Sequence, residues 1–397
     1  MQKHYLLTPG PTPLPPQVQE ALGRPIIHHR TAEYRTLFKR VQQGLQAVVA
    51  TSQPVVVFTS SGTGAMEGAV CNLLSPGDRA LVILGGKFAE RWRDVCAAYG
   101  AQVIPIPVAY GEAVDPEQVR QALKQHPDAK AVFSTLCETS TGVVNDLQTI
   151  ASIVRATNAV LVVDAISGLL ADPCQTEAWG IDALVSGSQK GLMLPPGLAF
   201  ISLSPKAWAL AEQAKNPRYY FDLRAYKKSL ADDDTPYTSS VSLVVALDEA
   251  LKLILAEGVE AFLARSALLA NATRAAIHAM GLQLFAKRPS NGVTAVSAPD
   301  GVDTKKLVKQ IQDRYQVTLA GGQGEMAGKV FRIAHMGYIG AFDLLVALAC
   351  VELSLVELGA SLSPGQGLKA FQSMIGRVPA QAQPASRASA PVGAGAR

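Results

Sequence analysis

Seven short, largely apolar runs, separated by segments of helical length, constrain the fold of this chain more than any other feature. The runs are VVVF (55–58), ALVIL (80–84), VIPI (103–106), AVFST (131–135), VLVVD (160–164), DALVSG (182–187) and LAFISL (198–203). Runs of this kind are typical of strands buried on both faces. Because helix-length stretches such as 64–74 and 115–126 lie between most of them, the pattern predicts an α/β fold with a largely parallel, doubly wound sheet of seven strands.

The sequence changes character after Tyr237, where two long helical patterns follow, one ending at Gly258 and the next at Met280. Strand candidates near Leu282, at 293–297 and at 330–334, with helices at 303–315 and 342–358, predict a smaller α+β C-terminal domain. The proline-rich stretch LLTPGPTPLPP disfavours a helix and predicts an extended arm. We therefore divide the chain into an N-terminal arm (1–20), a large domain (21–258), a small domain (259–376) and a Pro/Ala/Ser-rich tail (377–397) that we expect to be disordered.

Composition favours small-molecule partners. Charged residues make up 17% of the chain and the net charge is +4 without a basic block, so no nucleic-acid footprint is evident. The five cysteines include no CxxC pair, which favours buried thiols in a reducing compartment over disulfides or a metal site. The sequence begins without a secretory pattern and contains no apolar run of membrane-spanning length, so we expect a cytoplasmic protein that does not bind membranes.

A glycine-rich segment lies where the first large-domain strand gives way to a helix. It reads Ser60-Ser61-Gly62-Thr63-Gly64-Ala65. Glycines let a backbone approach an anion, and a helix start supplies free N–H groups, so the segment is a candidate phosphate cradle. The alternative is an ordinary strand-to-helix turn.

Two charged residues follow later strands of the same predicted sheet. Asp164 ends VLVVD, where open α/β sheets bind ligands, and a carboxylate there can keep a pyridine nitrogen protonated. Lys190 follows DALVSG among small residues that leave room for a bulky Schiff base. Taken alone, Asp164 is better explained as a helix cap, and Lys190 as a surface lysine. The cradle, the aspartate and the lysine in this order favour pyridoxal 5'-phosphate (PLP) as the cofactor.

The chain resembles the class V, fold type I PLP enzymes, and within them the alanine–glyoxylate and serine–glyoxylate aminotransferases. The matching stretches are Thr8-Pro9-Gly10-Pro11, Ser61-Gly62-Thr63-Gly64, Glu138-Thr139-Ser140-Thr141-Gly142, Val163-Asp164-Ala165, Gly187-Ser188-Gln189-Lys190-Gly191 with Leu194-Pro195-Pro196-Gly197, Thr235-Pro236-Tyr237-Thr238 and Gly328-Lys329-Val330-Phe331-Arg332-Ile333. The resemblance extends from the N-terminal arm to about Gly359.

The resemblance implies a role for each matching residue. Lys190 would be the Schiff-base lysine and Asp164 the partner of the pyridine nitrogen. The residues implied to contact the cofactor elsewhere are Ser61, Gly62, Thr63, Gly64, Ala65 and Gln189 at the phosphate, Phe88 and Ile166 at the ring faces, Thr139 at the ring oxygen, and Thr235 and Thr238, of which Thr238 would reach the phosphate of a neighbouring subunit. Arg332, with Gly10, would bind the substrate carboxylate. For Phe88, where many members have Trp, ordinary core packing is the competing interpretation.

The implied activity is ping-pong transamination from a small amino acid to glyoxylate or another short 2-keto acid, in a homodimer with sites at the subunit interface. The main alternative is a PLP lyase of the same fold, such as a desulfurase or kynureninase. A desulfurase needs a nucleophilic cysteine on a loop near the substrate, and GGQGEMAGKV before Arg332 has none. A non-catalytic subunit that keeps the fold is a second alternative, and a nucleotide-binding oxidoreductase a third. The amino donor is not predicted, because small apolar contacts change selectivity by only about 1–3 kcal/mol.

Overall fold

A computed structural model describes residues 3–376 of the chain. Its strands are β1 (Tyr5–Leu6), β2 (Val55–Phe58), β3 (Arg79–Leu84), β4 (Gln102–Pro107), β5 (Ala131–Thr135), β6 (Cys137–Glu138), β7 (Val143–Val144), β8 (Val160–Asp164), β9 (Ala183–Gly187), β10 (Ala199–Leu203), β11 (Val293–Ser297), β12 (Val317–Thr318), β13 (Ala320–Gly321) and β14 (Val330–Ala334). Its helices are α1 (Pro16–Leu22), α2 (Ala32–Val49), α3 (Gly62–Leu73), α4 (Lys87–Ala98), α5 (Pro116–Gln125), α6 (Leu147–Arg155), α7 (Thr176–Trp179), α8 (Pro205–Gln213), α9 (Leu223–Leu230), α10 (Val241–Glu257), α11 (Val259–Ala279), α12 (Thr304–Tyr315), α13 (Ala341–Glu357) and α14 (Gln366–Ile375).

The seven predicted strands form one sheet in the order β2-β10-β9-β8-β5-β3-β4. Strands β9, β8, β5, β3 and β4 run parallel, and β10 is antiparallel to both of its neighbours. The predicted α/β fold with a largely parallel seven-stranded sheet is therefore confirmed. Because β8 and β9 are adjacent and parallel, the segments that follow them begin at the same edge of the sheet, and Asp164 is the last residue of β8.

Helices cover both faces of this sheet. Alternate strand residues point to opposite faces, so Val55 and Val57 join one apolar core while Val56 and Phe58 join the other. Residues of α2, α5, α6 and α10 complete the first core, and residues of α3, α4, α8 and α9 complete the second. This burial on both faces explains why the strands are apolar throughout rather than alternating.

The C-terminal part builds a second, smaller layer. Strands β11, β14 and β13 form an antiparallel sheet, and their apolar side chains pack with residues of α11, α12, α13 and α14. Strand β1 pairs in parallel with β12, and Leu7 lies in the same apolar core. The N-terminal segment therefore packs on the small domain of its own chain, and Gly258 separates α10 from α11 at the predicted domain boundary.

Two local expectations are only partly right. The stretch LLTPGPTPLPP is not helical as far as Pro15, but α1 begins at its last residue, Pro16, because proline is tolerated in the first helical turn, where its missing N–H has no helical partner. The strand expected near Leu282 is reduced to one antiparallel bridge between Leu284 and Val296. Hydrogen bonds from the Phe285 N–H to the Ala295 carbonyl and from the Ser297 N–H to the Gln283 carbonyl, both at 2.9 Å, flank this bridge. The tail 377–397 lies outside the described residues.

None of the helices within residues 3–376 combines the length and the apolar character that crossing a bilayer requires.

Candidate active site

Lys190 lies in a tight turn after β9 and is buried, with 9% of the residue exposed. Its ammonium donates a hydrogen bond to the Pro9 carbonyl, and its own carbonyl accepts one from the Thr12 hydroxyl at 3.0 Å. A Cβ on Gly10 would lie 2.2 Å from Lys190 Nζ, and Gly10 has φ +111°. The N-terminal segment thus closes over the lysine, and only glycine fits at position 10.

Burial lowers the pKa of Lys190 to about 8. Arg332 and Arg91 contribute to this decrease, whereas Asp164 and Cys137 oppose it. Near neutral pH, Lys190 therefore exists as a neutral amine far more often than an exposed lysine does. A neutral amine is the form that attacks a carbonyl or accepts a proton.

Asp164 is 4% exposed at the carboxyl end of β8, and its Oδ1 accepts the Ile166 N–H at 2.8 Å. Burial raises its pKa to about 7, and nearby Glu138 acts in the same direction. The Ile166 N–H, Arg91 and Lys190 favour the charged form and limit the increase. A cationic partner at this position would stabilise the carboxylate further.

The glycine-rich turn joins β2 to α3, which begins at Gly62, two residues before the predicted start. A Cβ on Gly62 would lie 2.5 Å from Ile166 Cδ1, and one on Gly64 would lie 2.4 Å from Ser60 Oγ. Side chains at these two positions would clash, so the turn packs tightly against Ile166. Ser61 is the N-cap residue, and the first N–H groups of α3 have no carbonyl partner within the helix.

Gln189 lies beside this turn. Its buried Oε1 has no hydrogen-bond partner among residues 3–376. A Cβ on Gly187 would lie 3.0 Å from Gln189 Oε1 and 3.5 Å from Gly62 Cα, which places the side-chain amide next to the start of α3. A buried polar group without a partner commonly indicates a missing ligand or water.

Phe88 begins the first turn of α4 and is half-buried rather than part of the apolar cores. Its backbone N–H bonds to Glu138 Oε1 at 3.3 Å, and the Arg91 guanidinium carbon lies 5.1 Å from its ring centroid. The competing interpretation of Phe88 as a core residue therefore finds no support in its burial.

Arg332 lies in the middle of β14 and is 4% exposed. Its Nη1 donates to the Thr139 carbonyl at 2.8 Å and its Nη2 to the Gly321 carbonyl at 2.8 Å. Burial lowers its pKa, and within residues 3–376 it forms no ion pair. A buried guanidinium held only by neutral carbonyls can gain a strong, charge-assisted bond from a carboxylate ligand. Thr139 also shares a 2.5 Å hydroxyl–hydroxyl hydrogen bond with Ser167.

Thr235 and Thr238 lie in the loop between α9 and α10, and at the end of this loop the Ser240 N–H donates to Thr59 Oγ1, just before the glycine-rich turn, at 3.1 Å. The Thr235 hydroxyl donates to the Tyr237 carbonyl at 2.8 Å, whereas Thr238 is exposed. Arg30 holds the loop by donating to the Asp234 carboxylate at 2.6 Å and to the Thr235 carbonyl at 2.5 Å. In the described part of a single chain, no hydrogen bond joins either threonine to Lys190 or Asp164.

Sequence reasoning assigned no role to Glu138 or Arg91. Glu138 is 2% exposed, accepts the Ala89 N–H at 2.9 Å and the Ser140 hydroxyl at 2.6 Å, and so anchors the start of α4. Arg91 donates to Thr63 Oγ1 at 3.1 Å. Its signal in the sequence is the spacing of three from Phe88, which places both side chains on one face of a helix.

The five cysteines are all buried and unpaired, as predicted. Burial raises the pKa of the thiols of Cys71, Cys96, Cys137 and Cys174 to about 12. These thiols are therefore protonated near neutral pH, and a thiol reacts as a nucleophile only in its thiolate form.

The site thus combines a neutral-prone amine, a strand-end carboxylate, an unpaired amide beside a helix start, and an unpaired guanidinium. The amine can bind an aldehyde, and the carboxylate can pair with a pyridine nitrogen. The amide beside the helix start can bind a phosphate, and the guanidinium can bind a substrate carboxylate. The donor set therefore fits PLP with an amino acid substrate.

Comparisons with known proteins agree with this chemistry. The aminotransferase class-V family model matches residues 4–336. The chain is 42% identical to the small subunit of a soluble hydrogenase from a Synechococcus species, over 94% of this chain and 98% of that protein. It is 36% identical to the L-aspartate–glyoxylate aminotransferase of Paracoccus denitrificans, over 95% and 98%. The crystal structure of pyridoxamine–pyruvate aminotransferase from Mesorhizobium loti superposes with a TM-score of 0.91 at 32% identity, over 95% and 98%.

Proposed function

This chain belongs to the class V aminotransferase family and is a PLP-dependent enzyme, and on that premise we propose that it transfers the amino group of a small amino acid to glyoxylate or pyruvate. Related proteins named for these acceptors include the aspartate–glyoxylate and pyridoxamine–pyruvate enzymes. The observation that carries the proposal is the position of Lys190. Lys190 is buried after β9, and the charges of Asp164 and Arg332 both act on its amine.

The cofactor would occupy the space bounded by β8, α3, α4 and the turn after β9. Lys190 would carry its aldehyde carbon, Asp164 its pyridine nitrogen and Thr139 its ring oxygen. Phe88 and Ile166 would cover the two ring faces. Ser61, Gly62, Thr63, Gly64, Ala65 and Gln189 would hold the phosphate. Bound PLP supplies an electron sink for the pair of electrons left when the substrate loses its α-proton.

The chain's own residues would carry the remaining steps. Arg332 holds the substrate carboxylate and orients the α-hydrogen toward Lys190. The lowered pKa of Lys190 would let its neutral Nζ take the proton from the substrate α-carbon and deliver it to the aldehyde carbon of the bound cofactor. Asp164 keeps a proton on the pyridine nitrogen, and the closely packed N-terminal segment limits water around Lys190.

We propose a cytoplasmic homodimer in which Thr235 and Thr238 complete the site of the other subunit. Support comes from the exposed side chain of Thr238, in a loop that Arg30 holds through the Thr235 carbonyl, and from the lack of a hydrogen bond between either threonine and Lys190 within residues 3–376. Tyr219 and Tyr220, which both pack on Tyr237 of the same loop, are 80% and 37% exposed, and neighbouring exposed aromatic rings are common where two protein surfaces meet.

The test is a Lys190→Ala variant with Lys215→Ala, an exposed lysine on the same domain, as control. The wild type and the control should purify yellow, lose the visible band on borohydride treatment, and aminate glyoxylate or pyruvate with ping-pong kinetics. Lys190→Ala should lose the borohydride-sensitive band and at least about 10²–10⁴-fold in kcat, the usual contribution of a positioned proton-transfer group.

Two outcomes favour the alternatives. Wild-type protein that consumes an amino donor without aminating a keto acid would be a lyase. Wild-type protein that binds no PLP would favour a non-catalytic subunit, and the Synechococcus relative is named as a subunit of a soluble hydrogenase. A panel of donors, including alanine, serine and aspartate, identifies the amino donor in the same assay.

A further inference from the structure

The peptide group between Thr139 and Ser140 lies between two buried charged side chains. Its N–H donates to Glu138 Oε1 at 3.1 Å, and its C=O accepts from Arg332 Nη1 at 2.8 Å. A peptide group is planar, so the direction of its N–H fixes the direction of its C=O. The Glu138 carboxylate therefore contacts the Arg332 guanidinium through one rigid unit.

Glu138 is itself held firmly. It is 2% exposed and, within residues 3–376, forms no ion pair. Its Oε1 also accepts the Ser140 hydroxyl at 2.6 Å and the Phe88 N–H at 3.3 Å, and its Oε2 accepts the Ala89 N–H at 2.9 Å. Four hydrogen bonds thus replace the water that a buried carboxylate would otherwise lack.

Helix α4 takes its N-terminal cap from this carboxylate rather than from its own sequence. The N-cap residue is Gly86, which has no side chain, and an added Cβ would lie 2.4 Å from Glu138 Cδ. Helix α5 shows the local solution, in which its own N-cap residue Asp115 accepts the Glu117 N–H at 3.0 Å. Because a local cap would satisfy a helix start, a cap that comes from β6 indicates a second task for Glu138.

The Arg332 end of the contact sets where the remaining guanidinium donors point. Nε and Nη2 both donate to the Gly321 carbonyl, at 3.2 and 2.8 Å, and Nη1 donates to the Thr139 carbonyl. These bonds use three of the five N–H donors of a guanidinium and leave two for a ligand. A rotation of the Thr139 carbonyl would therefore redirect the two donors that remain.

We propose that Glu138 is a positioning residue that fixes the ligand-binding donors of Arg332 through the peptide group between Thr139 and Ser140. The inference rests on the proposed function, because it concerns the substrate carboxylate that Arg332 would bind there. It assigns to Glu138 a role in substrate recognition in addition to its cap on α4.

Two aminooxy compounds test this role in the PLP-bound protein. Aminooxyacetate and methoxyamine both form an oxime with the bound cofactor, but only aminooxyacetate carries a carboxylate. The ratio of their second-order rate constants, followed as loss of the visible band, therefore reports carboxylate recognition. Neither reaction requires turnover or knowledge of the natural amino donor.

The variants form a double-mutant cycle of Glu138→Gln, Arg332→Ala and the two together. In Glu138→Gln the amide oxygen can replace Oε1, but the amide N–H₂ then faces the Ala89 N–H, so two donors oppose each other. Asp115→Ala, which removes the cap of a helix elsewhere, is the matched control. Thermal melting of every protein measures the loss of stability separately.

We expect Glu138→Gln to lower the ratio about tenfold, within the loss of about 10²-fold that a 1 Å misplacement causes. Arg332→Ala should lower it at least about tenfold, as expected for loss of a hydrogen bond to a charged group. In the Arg332→Ala background Glu138→Gln should change the ratio by less than about twofold. Asp115→Ala should melt at a lower temperature and keep the wild-type ratio.

Gly86→Ala approaches the same carboxylate from α4 and serves if Glu138→Gln does not fold. Its added Cβ would displace Glu138, so the ratio should fall here as well. A wild-type ratio in a folded Glu138→Gln or Gly86→Ala protein would overturn the proposal, as would an equal fall with and without Arg332. A wild-type ratio that Arg332→Ala does not lower would instead contradict the proposed function of Arg332, so the two failures are distinct.

Discussion

At the scale of single residues, the site depends on charges that burial makes costly. Lys190, Asp164 and Arg332 are each less than 10% exposed. Burial shifts the pKa of each group in the direction that favours its neutral form. A protein that only needed to fold would gain little from three such groups. Their cost is offset once a ligand supplies an aldehyde, a pyridine nitrogen and a carboxylate, which is why perturbed groups of this kind cluster at functional sites.

Gly10 gives a residue-scale prediction. Gly10→Ala should abolish the borohydride-sensitive visible band, because the new Cβ would lie 2.2 Å from Lys190 Nζ. Left-handed backbone alone costs a non-glycine residue roughly 1–2 kcal/mol. The matched control is Gly281→Ala, at φ +76° with open space around the added Cβ. Both variants should lose stability in thermal melts, but only Gly10→Ala should lose the cofactor band. A Gly10→Ala variant with a normal band would contradict the tight fit around the lysine.

At the scale of elements, strand β14 is held in place by a buried polar network. His335 follows β14, and its Nδ1–H donates to the Asn291 carbonyl at 2.6 Å, while its Nε2 accepts from the Thr294 hydroxyl at 2.7 Å. Asp172, in the loop after β8, accepts the Ser290 hydroxyl at 2.5 Å and the Asn291 N–H at 2.8 Å. Since β11 pairs with β14, this network ties the strand that carries Arg332 to the sheet that carries Asp164.

The network predicts a loss of stability in acid. Burial lowers the pKa of His335 to about 3, below its usual 6.5. Between these two pH values His335 is protonated in the unfolded chain and neutral in the folded chain. The contribution of His335 is fully present above pH 6.5 and is lost as the pH falls toward 3. Between pH 7 and pH 5 this amounts to about 2 kcal/mol of unfolding free energy.

Urea unfolding of the wild type and of His335→Gln at pH 7 and at pH 5 measures this loss. The unfolding free energy of the wild type should fall by about 2 kcal/mol more than that of the variant. If His335→Gln does not fold, the imidazole C2–H resonance of the wild type gives a direct answer. A His335 that titrates near pH 6.5 in the folded protein would disprove the prediction.

At the scale of the whole molecule, the site draws on every part of the described chain. The N-terminal segment supplies Gly10, the central sheet supplies Asp164 and Lys190, and the small domain supplies Arg332. Arg332 reaches across to the Thr139 carbonyl of the large domain at 2.8 Å. Any movement of β14 relative to the central sheet would therefore change the surroundings of Arg332 directly.

Subunit complementation tests the proposed homodimer with shared sites. Lys190→Ala and Thr238→Trp should each be inactive alone, the second because Trp would block the partner's phosphate region from an exposed position. A mixed dimer contains one site with both native residues. Random mixing by co-expression should therefore recover about one quarter of the wild-type activity. No recovery, with mixed dimers confirmed by mass spectrometry, would show that each site belongs to one chain.

The sequence by itself determined the seven strands of the central sheet, and it predicted the residues of the site. Strands buried on both faces, such as VLVVD, are apolar throughout, so their number and type are encoded locally. Asp164 and Lys190 are recognisable because both follow such strands. The prediction of an extended conformation is wrong at Pro16, where α1 begins, since proline is as compatible with a first helical turn as with an extended arm.

Only the tertiary structure decided which groups meet across long separations. It places Pro9 and Gly10 on Lys190, Arg332 on Thr139, and Arg91 on Thr63. It also sets the pKa values, because burial, the largest cause for both Lys190 and Asp164, depends on the packed molecule rather than on neighbours in the chain. Local sequence encodes propensity and pattern, whereas distance and desolvation arise only when the chain is folded.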